Sequence, residues 1–310
     1  MGEEAVFVIG HPRTGTTHVH NLLSCDAERF AFASTFQCGF PGAFLWLERA
    51  GLKALLAPLL DKTRPMDNMA LHWDLPQEDE LALVLLTAGL SPYLPIYLMP
   101  QYEACKRFFS FREARPAERA TWLRCFDYFC RKLVVADAAS GRAPRTLLLK
   151  SPAHTARIAL LRERFPRAKF VYVHRNPYEV FQSATHMADT TYWYSYLSTP
   201  TDAQINHFVL DQYETLHREY VAGRRLLPPR DLVELRFEEL DRDPVGAMRR
   251  VYAHFGWEGF DARVRPRLDG YLRTLGDFKK NAHKPLSPGM RRVVARRWRA
   301  GFLEFGYPMD

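Results

Sequence analysis

The sequence lacks the cysteine patterns that build disulfide frameworks or metal centres. It contains five cysteines, an odd number, and no Cys-x-x-Cys or mixed Cys/His spacing joins them. These absences exclude a small disulfide-stapled domain and the common zinc motifs. We therefore expect reduced thiols in a cytoplasmic protein, with no metal. An apolar strand begins by Val6, so we also expect no signal peptide in front of it.

The chain also lacks an uninterrupted apolar run that would suit a membrane span. Residues 81–100 carry no charge, and their length alone would be sufficient to cross a bilayer. However, Gly89, Pro92 and Pro95 interrupt this stretch, and three acidic residues, 78–80, precede it. We expect a buried helix that runs into an apolar loop, and no transmembrane segment.

Acidic residues are the minority among the charged ones. The chain has 43 Lys and Arg against 35 Asp and Glu, which gives a formal net charge of +8 and a pI of about 9.3. A basic balance indicates an acidic ligand, a nucleic acid or a membrane surface. No nucleic-acid-binding signature accompanies it, so we expect a small anionic ligand and no nucleic-acid partner. Several arginines fall on one predicted helix, whose solvated face accounts for them: Arg291, Arg292, Arg296, Arg297 and Arg299.

Strands and helices alternate along most of the chain. Apolar strands that alternate with helices predict a parallel sheet covered by helices on both faces. Ligands of such sheets bind at the carboxyl ends of the strands. The predicted strands are 5–10, 146–150, 169–174 and 232–236. The predicted helices are 16–24, 153–164, 177–187, 203–225, 244–255 and 289–304, with a largely helical insertion over about 40–137.

The first strand leads into a loop with the composition of an anion-binding turn. An apolar run ends at Gly10, a turn carries Arg13 and Gly15, and Thr16 and Thr17 open a helix. Backbone N–H groups at a helix start favour a phosphate or sulfate. The glycine spacing matches a nucleotide P-loop, but Thr16 stands where the P-loop lysine would be. This difference argues against ATP or GTP chemistry and favours another phosphorylated donor.

The segment Pro12-Arg13-Thr14-Gly15-Thr16-Thr17 resembles the 5′-phosphosulfate loop of sulfotransferases that use 3′-phosphoadenosine 5′-phosphosulfate (PAPS). Cytosolic members of that family usually have lysine at the Arg13 position, whereas tyrosylprotein and many bacterial members have arginine. The resemblance implies an α/β fold with a P-loop-like parallel sheet and PAPS as co-substrate. It also implies that the phosphosulfate is bound by Arg13, Thr14, Gly15, Thr16 and Thr17.

Three further segments are similar to donor-binding parts of the family. Arg175, at a predicted strand end, and Ser183, about two helical turns later, have the spacing of its 3′-phosphate site. Phe237 stands where the family has an aromatic residue that stacks on adenine, although it could equally be an ordinary core phenylalanine. Residues 276–281 resemble the loop that closes over the 3′-phosphate, with phenylalanine in place of tryptophan and one extra lysine. This loop adds three donor-binding candidates: Lys279, Lys280 and Asn281.

The resemblance also suggests catalytic residues. Lys150 follows a predicted strand, where tyrosylprotein sulfotransferases have a lysine beside the bond that breaks. Cytosolic members have a Lys-Thr-His segment at this place, whose histidine is the base. In this sequence the histidine, His154, stands two positions later than in that segment. Family members with an early catalytic glutamate place it soon after the first helix, but residues 33–36 hold no carboxylate. The general base is therefore left open among Glu78, Glu80, His72 and His154.

Together these segments favour a sulfotransferase that moves a sulfuryl group from PAPS to a hydroxyl of a small hydrophobic acceptor by in-line displacement. Since they span residues 10–281, we expect one domain over 1–310, with the insertion at about 40–137 forming the acceptor side. A P-loop-type kinase or NTPase, and a nucleotide-binding protein without catalysis, are the alternatives. The sequence is compatible with an oligomer and does not identify the acceptor.

Overall fold

A five-stranded parallel sheet forms the centre of the protein. The computed structural model describes residues 4–56, 58, 60, 63, 69, 71–141, 143–192, 195–276 and 285–309. The strand order is β2-β3-β1-β4-β5, so β1 lies between β3 and β4. The carboxyl ends of these three strands therefore lie side by side at one edge of the sheet. The strands are β1 (Ala5–Gly10), β2 (Phe30–Phe32), β3 (Thr146–Lys150), β4 (Lys169–His174) and β5 (Leu232–Arg236).

Four of the five strands match the sequence prediction. The fifth, β2, has only three residues and pairs with β3, with Phe30 opposite Thr146. Three residues are too few to show the period-two pattern of a strand. The strand therefore depends on its pairing with β3 rather than on a local signal.

Fifteen α-helices lie within the described residues. They are α1 (Thr16–Ser24), α2 (Thr35–Gly39), α3 (Phe44–Arg49), α4 (Leu52–Leu55), α5 (Asp79–Leu86), α6 (Tyr102–Cys105), α7 (Pro116–Ala139), α8 (Ile158–Arg164), α9 (Pro177–Thr190), α10 (Asp202–Arg224), α11 (Phe237–Arg242), α12 (Pro244–Phe255), α13 (Arg265–Thr274), α14 (Pro288–Arg297) and α15 (Arg299–Glu304). A π-helical segment, Phe260–Val264, precedes α13, and short 3₁₀ turns join several helices.

Two predicted helices are each divided in the structure. The region 153–164 consists of a 3₁₀ turn, Pro152–Ala156, followed by α8, and the division falls at the fully buried Arg157. The region 289–304 divides at Trp298, whose buried indole N–H donates to the carbonyl of Leu210. In both places a large side chain anchored in the core fixes the backbone where an uninterrupted helix was predicted.

Helices cover both faces of the sheet, as the alternation predicts. Along β1, Phe7 and Ile9 point to one face and pack in a core with side chains of α7, α8 and α10. Val6 and Val8 point to the other face and pack with side chains of α1, α12 and α13. Because neighbouring residues of a strand point to opposite faces, an entirely apolar strand requires cover on both sides. The predicted fold class is confirmed.

The segment between β2 and β3 contains helices α2 to α7. Within it, the charge-free stretch begins as α5, which ends at Leu86, and continues as turns with short 3₁₀ segments at Leu94–Ile96 and Met99–Gln101. The first turn of α5 holds the buried acids Asp79 and Glu80. Among the described residues, no helix is both long and apolar enough to cross a membrane.

Candidate active site

The anion-binding loop begins at the carboxyl end of β1 and is fixed by its neighbours. The backbone N–H of Gly10 donates to Thr155 Oγ1 at 2.8 Å, and the same hydroxyl lies 3.1 Å from the Gly10 carbonyl. Thr14 then folds back, and its hydroxyl donates to the His11 carbonyl at 2.8 Å. Gly15 follows as the residue that caps α1, and it has no side chain to cover the first helical amides. This arrangement directs the positive end of α1 towards the loop.

Arg13 has an unusual backbone conformation. Its φ angle is 72°, in the left-handed region that residues other than glycine seldom occupy. Two contacts support it: Arg13 Nε donates to Ser183 Oγ at 3.0 Å, and Arg175 Nη1 donates to the Arg13 carbonyl at 3.3 Å. Thus the structure brings Arg13, Arg175 and Ser183 together, and the strained backbone is of the kind found at binding sites.

Phe237 begins α11 immediately after β5, and its ring packs against the loop. A Cβ atom at Gly15, where φ is 99°, would overlap the Phe237 ring. The guanidinium of Arg175 lies 4.4 Å from the centre of the same ring. Only glycine meets both demands at position 15, a left-handed backbone and close contact with an aromatic ring. Phe237 is half-buried, and it joins the loop to Arg175.

Lys150 is the last residue of β3, and only 1% of its side chain is exposed. Its ammonium donates to Glu78 Oε1 at 2.6 Å and to Thr17 Oγ1 at 3.1 Å. These contacts join three parts of the chain: the end of a central strand, the start of the first helix and the start of α5. A buried ammonium requires such partners because its desolvation is costly.

Glu78 precedes α5, but its side chain does not cap that helix. Besides the contact with Lys150, its second oxygen, Oε2, accepts a hydrogen bond of 2.6 Å from the Tyr93 hydroxyl. Burial and the nearby Glu78 carboxylate raise the pKa of Tyr93 well above its ordinary value, so the phenol keeps its proton and donates. With 21% of its side chain exposed, Glu78 reaches the adjoining cleft.

The other candidates for the general base lie elsewhere. His154 has no exposed surface, contacts Asp79 Oδ2 at 2.6 Å, and packs among the rings of Phe7 and Phe126. An imidazole enclosed in this way does not meet an acceptor in the cleft. Glu80 is also fully buried, where it pairs with Arg157. His72 is exposed and lies beside Asp74. Lys279, Lys280 and Asn281 lie outside the described residues.

An open cleft of about 480 Å³ lies between the loop and the segment that joins β2 to β3. Arg13, Thr16, Thr17 and Glu78 form its polar end. The remainder is mainly apolar, with walls that include Trp73, Leu81, Val84, Ile96 and Met187. The residues that an anionic donor would need and those that an apolar acceptor would need thus meet at Glu78 and Thr17.

Neither a metal site nor a disulfide bond is found among the described residues. Within the described part of the chain, no group of three or more His, Cys, Asp and Glu side chains is arranged to hold a metal ion. The five cysteines are all unpaired: Cys25, Cys38, Cys105, Cys125 and Cys130. Cys38 lines the cleft, and burial together with the nearby Asp79 and Glu78 raises the pKa of its thiol well above the ordinary value.

Comparison with known proteins agrees with this geometry. A sequence model described as the sulfotransferase family matches residues 5–262. The chain belongs to the sulfotransferase family and is a transferase of sulfuryl groups, which confirms the family suggested by the loop at Pro12–Thr17.

Named relatives are found among mycobacterial proteins. The chain is 35% identical over 311 residues to the omega-hydroxy-beta-dihydromenaquinone-9 sulfotransferase Stf3 of Mycobacterium bovis and to that of Mycobacterium tuberculosis, covering 99% of this chain and 76% of each relative. Sulfotransferase STF1 from Mycobacterium tuberculosis superposes with a TM-score of 0.69 at 19% identity, over 97% of this chain and 77% of that one. Sulfotransferase STF9 from Mycobacterium avium gives 0.68 at 20%, over 98% and 77%. At such identities the structural likeness shows the fold.

Proposed function

We propose that this protein transfers the sulfuryl group of PAPS to the hydroxyl of an elongated apolar acceptor. The observation that carries the proposal is the Glu78–Lys150 pair, at 2.6 Å, where the anion-binding loop meets the apolar cleft. The reaction requires charge stabilisation at the leaving group and a base for the acceptor proton, and a lysine and a carboxylate are suited to these two roles.

The donor side has the chemistry that a doubly phosphorylated nucleotide needs. Arg13 and the first amides of α1 suit the phosphosulfate, with Thr14 and Gly15 shaping the loop and Thr16 and Thr17 adding hydroxyls. Arg175 and Ser183 suit the 3′-phosphate, and Phe237 offers a ring for the adenine. From their sequence positions we add Lys279, Lys280 and Asn281 to this set. When bound, PAPS supplies a sulfuryl group on a phosphate that leaves as a stable anion.

The protein's residues would then divide the work between charge stabilisation and proton transfer. Arg13 and the loop amides hold the donor in line with the cleft. The Lys150 ammonium turns from Glu78 towards the bridging oxygen, where negative charge develops. That movement leaves Glu78 Oε1 able to accept the proton of the acceptor hydroxyl, while Tyr93 continues to hold Oε2. We assign no proton transfer to His154, which is enclosed in the core.

The acceptor side favours a long apolar molecule. The cleft walls are mainly hydrocarbon and aromatic, and its polar end holds Glu78. The mycobacterial relative is named for a hydroxylated menaquinone, which has a long apolar tail. We therefore propose an aliphatic or isoprenoid alcohol as acceptor, handled by a cytoplasmic protein with reduced thiols.

A pair of experiments tests the two sides separately. For the donor, 3′-phosphoadenosine 5′-phosphate (PAP) should raise the melting temperature and AMP far less, because only PAP reaches Arg175 and Ser183. For the acceptor, kcat/KM with PAPS should be at least about 100-fold higher for 1-dodecanol than for 1-butanol, because burial of about four of its eight additional methylenes, at about 0.8 kcal/mol each, gives that factor. The sulfated alcohol is detected by mass spectrometry.

The matched variants place the acceptor in the cleft. Val84→Asp, in the cleft wall, should remove the preference for 1-dodecanol, whereas Val135→Asp, at an exposed position on α7, should retain it. Equal stabilisation by AMP and PAP would remove the 3′-phosphate site from the proposal. Phosphoryl transfer from ATP would replace it with a kinase.

A further inference from the structure

Three consecutive acids at the start of α5 pair with three basic residues of one short segment that begins at the last residue of β3. Glu78 of the first pair lines the cleft, whereas the other two pairs have no exposed side-chain surface. The carboxylates follow one another directly, whereas the basic residues are spaced so that they lie along a strand end and the turn after it. The pairs are Glu78 with Lys150, Asp79 with His154, and Glu80 with Arg157.

The two buried pairs cost the fold more than apolar residues would. Burying a carboxylate and its partner requires desolvation of both, and well-packed apolar replacements are often at least as stable. In the described structure, Asp79 Oδ1 and His154 Nδ1 are also buried without a hydrogen-bond partner, which adds to the cost. A contribution to stability alone therefore does not explain why charged residues occupy these positions.

The position of the pairs indicates what they do. Asp79 and Glu80 are the first two residues of α5, directly after Glu78. Asp79 is tied to the 3₁₀ turn that follows Lys150, since His154 lies within that turn. Glu80 is tied to Arg157, whose Nη2 donates to Oε1 at 3.1 Å. The backbone on which Glu78 stands is therefore joined twice to the backbone on which Lys150 stands.

Glu80 also supports the other partner of Glu78. The Ser91 hydroxyl donates to Glu80 Oε1 at 2.5 Å, and the Tyr93 backbone N–H donates to Ser91 Oγ at 3.1 Å. Tyr93 in turn donates from its hydroxyl to Glu78. Both oxygens of the Glu78 carboxylate thus face groups whose positions depend on the buried pairs.

We propose that Asp79 and Glu80, with His154 and Arg157, are positioning residues that hold the Glu78 carboxylate against Lys150. Their contribution to turnover rests on the proposed function, whereas the contact that they maintain does not. A misplacement of a reacting group by about 1 Å can cost about 100-fold in rate. His154 thus influences the reaction through Asp79 and Glu78 rather than by taking the proton itself.

The test removes the Asp79–His154 pair and measures the Glu78 carboxyl directly. In the double variant D79A/H154F, phenylalanine replaces the imidazole among the aromatic rings and leaves no buried charge. The pKa of Glu78 is measured by ¹³C NMR titration, with its resonance assigned from Glu78→Gln. Because separation from the Lys150 ammonium disfavours the carboxylate, we expect a rise of about one pKa unit. Tyr93, Tyr192 and Cys38 also lie near Glu78 and are unchanged in this variant. Loss of the adjacent Asp79 carboxylate by itself lowers the Glu78 pKa, so a net rise reports separation from the Lys150 ammonium.

Kinetics with PAPS and 1-dodecanol provide the second measurement. We expect kcat of the double variant to fall about 10- to 100-fold, with its acid limb moved to higher pH and the KM for PAPS unchanged. The single variant His154→Gln keeps both Asp79 and an N–H donor for it, so it should retain most of the original kcat. Asp79→Asn keeps the side-chain volume and replaces the double variant if that protein does not fold. It should shift the Glu78 pKa in the same direction by a smaller amount. Asp137→Asn, at a buried pair with Arg145, is the control for general destabilisation.

The outcomes are distinct. A Glu78 pKa that is unchanged or lower in a folded variant overturns the proposal, even if kcat falls, because the effect on kcat is then only structural. A raised Glu78 pKa with unchanged kcat supports the positioning of Glu78 and instead refutes Glu78 as the base in the proposed function.

Discussion

The carboxylate of Glu179 binds the guanidinium of Arg175, with Oε2 2.7 Å from Nη2 and 2.9 Å from Nε. Arg175 directly follows β4, Glu179 lies four positions later in the first turn of α9, and Glu179 is about half exposed. Arg175 is our candidate for binding the 3′-phosphate of the donor. Glu179 takes up the Nε and Nη2 donors of Arg175, so we predict that it competes with a bound phosphate for them.

Removal of this competing carboxylate should strengthen donor binding. Exposed ion pairs are worth about 0.2–1 kcal/mol, so Glu179→Gln should lower the Kd of PAP by about 1.4- to 5-fold and leave that of AMP unchanged. Isothermal titration calorimetry measures both. Glu163→Gln, in an exposed pair with Arg119, is the matched control. An unchanged or higher Kd of PAP in Glu179→Gln would contradict the binding of the 3′-phosphate by Arg175.

Loss of Lys150 should affect turnover rather than donor affinity. We expect Lys150→Ala to lower kcat by about 10²- to 10³-fold, the range for one preorganised electrostatic donor, while the Kd of PAP changes little. Lys150→Arg should not restore kcat fully, because a planar guanidinium cannot replace a compact ammonium. Lys169→Ala, at the first residue of β4 and thus at the opposite edge of the sheet, is the control. A folded Lys150→Ala variant with near-normal kcat would leave Lys150 a structural role.

Gly15 should be irreplaceable for donor binding. In Gly15→Ala the new methyl group meets the Phe237 ring, and a left-handed alanine costs about 1–2 kcal/mol in addition. We expect the Kd of PAP to rise at least about 10-fold. Gly51→Ala has a similar φ of 70° with open space around it, so it tests the backbone cost alone. The double variant G15A/F237L should regain part of the free energy of unfolding that Gly15→Ala loses. Equal losses of this free energy in Gly15→Ala and Gly51→Ala would contradict the contact between residue 15 and the Phe237 ring.

Stability should decrease in mild acid because of three histidines. Burial lowers the pKa of His11 and of His20 to about 3, the latter with help from the nearby Lys150 charge, and that of His174 to about 4. Above pH 6.5 these groups are neutral in both states. Below it the unfolded chain binds protons that the folded protein does not, so the free energy of unfolding falls as pH drops from 6.5 towards 4.

Urea titrations at pH 7.5 and 5.5 measure this effect. Each histidine should contribute about 1.4 kcal/mol to the difference, so the three together should give about 4 kcal/mol. His20→Phe should reduce the difference by about a third, whereas His72→Gln, at an exposed position, should leave it unchanged. If the His20→Phe protein kept the full difference, His20 would be protonated in the folded state.

Sequence patterns were sufficient for the fold class and for four of the five strands. The strand ends at Gly10, Lys150 and Arg175 could be located because apolar runs stop there, and a parallel sheet places such ends along one edge. β2 and the division at Trp298 could not be predicted, because each depends on contacts with distant parts of the chain.

The acceptor side shows where such reasoning ends. Glu78 and Lys150 are 72 positions apart, and no local pattern distinguishes Glu78 from its acidic neighbours. A helix-start acid usually serves the helix itself. Only the folded chain shows that Glu78 reaches the cleft while Asp79 and Glu80 turn inward. The left-handed backbone of Arg13 is likewise a property of the fold, since arginine has no preference for it.

The charged residues and the apolar wall of the cleft come from different parts of the chain. Arg13, Lys150 and Arg175 come from the ends of adjacent central strands, whereas much of the apolar wall comes from the connection between β2 and β3. Under the proposed function, protein engineers could redesign that connection for other acceptors while leaving Arg13, Lys150 and Arg175 in place. Residues 78–80 should be left unchanged, since their ion pairs join this connection to the segment that begins at the end of β3.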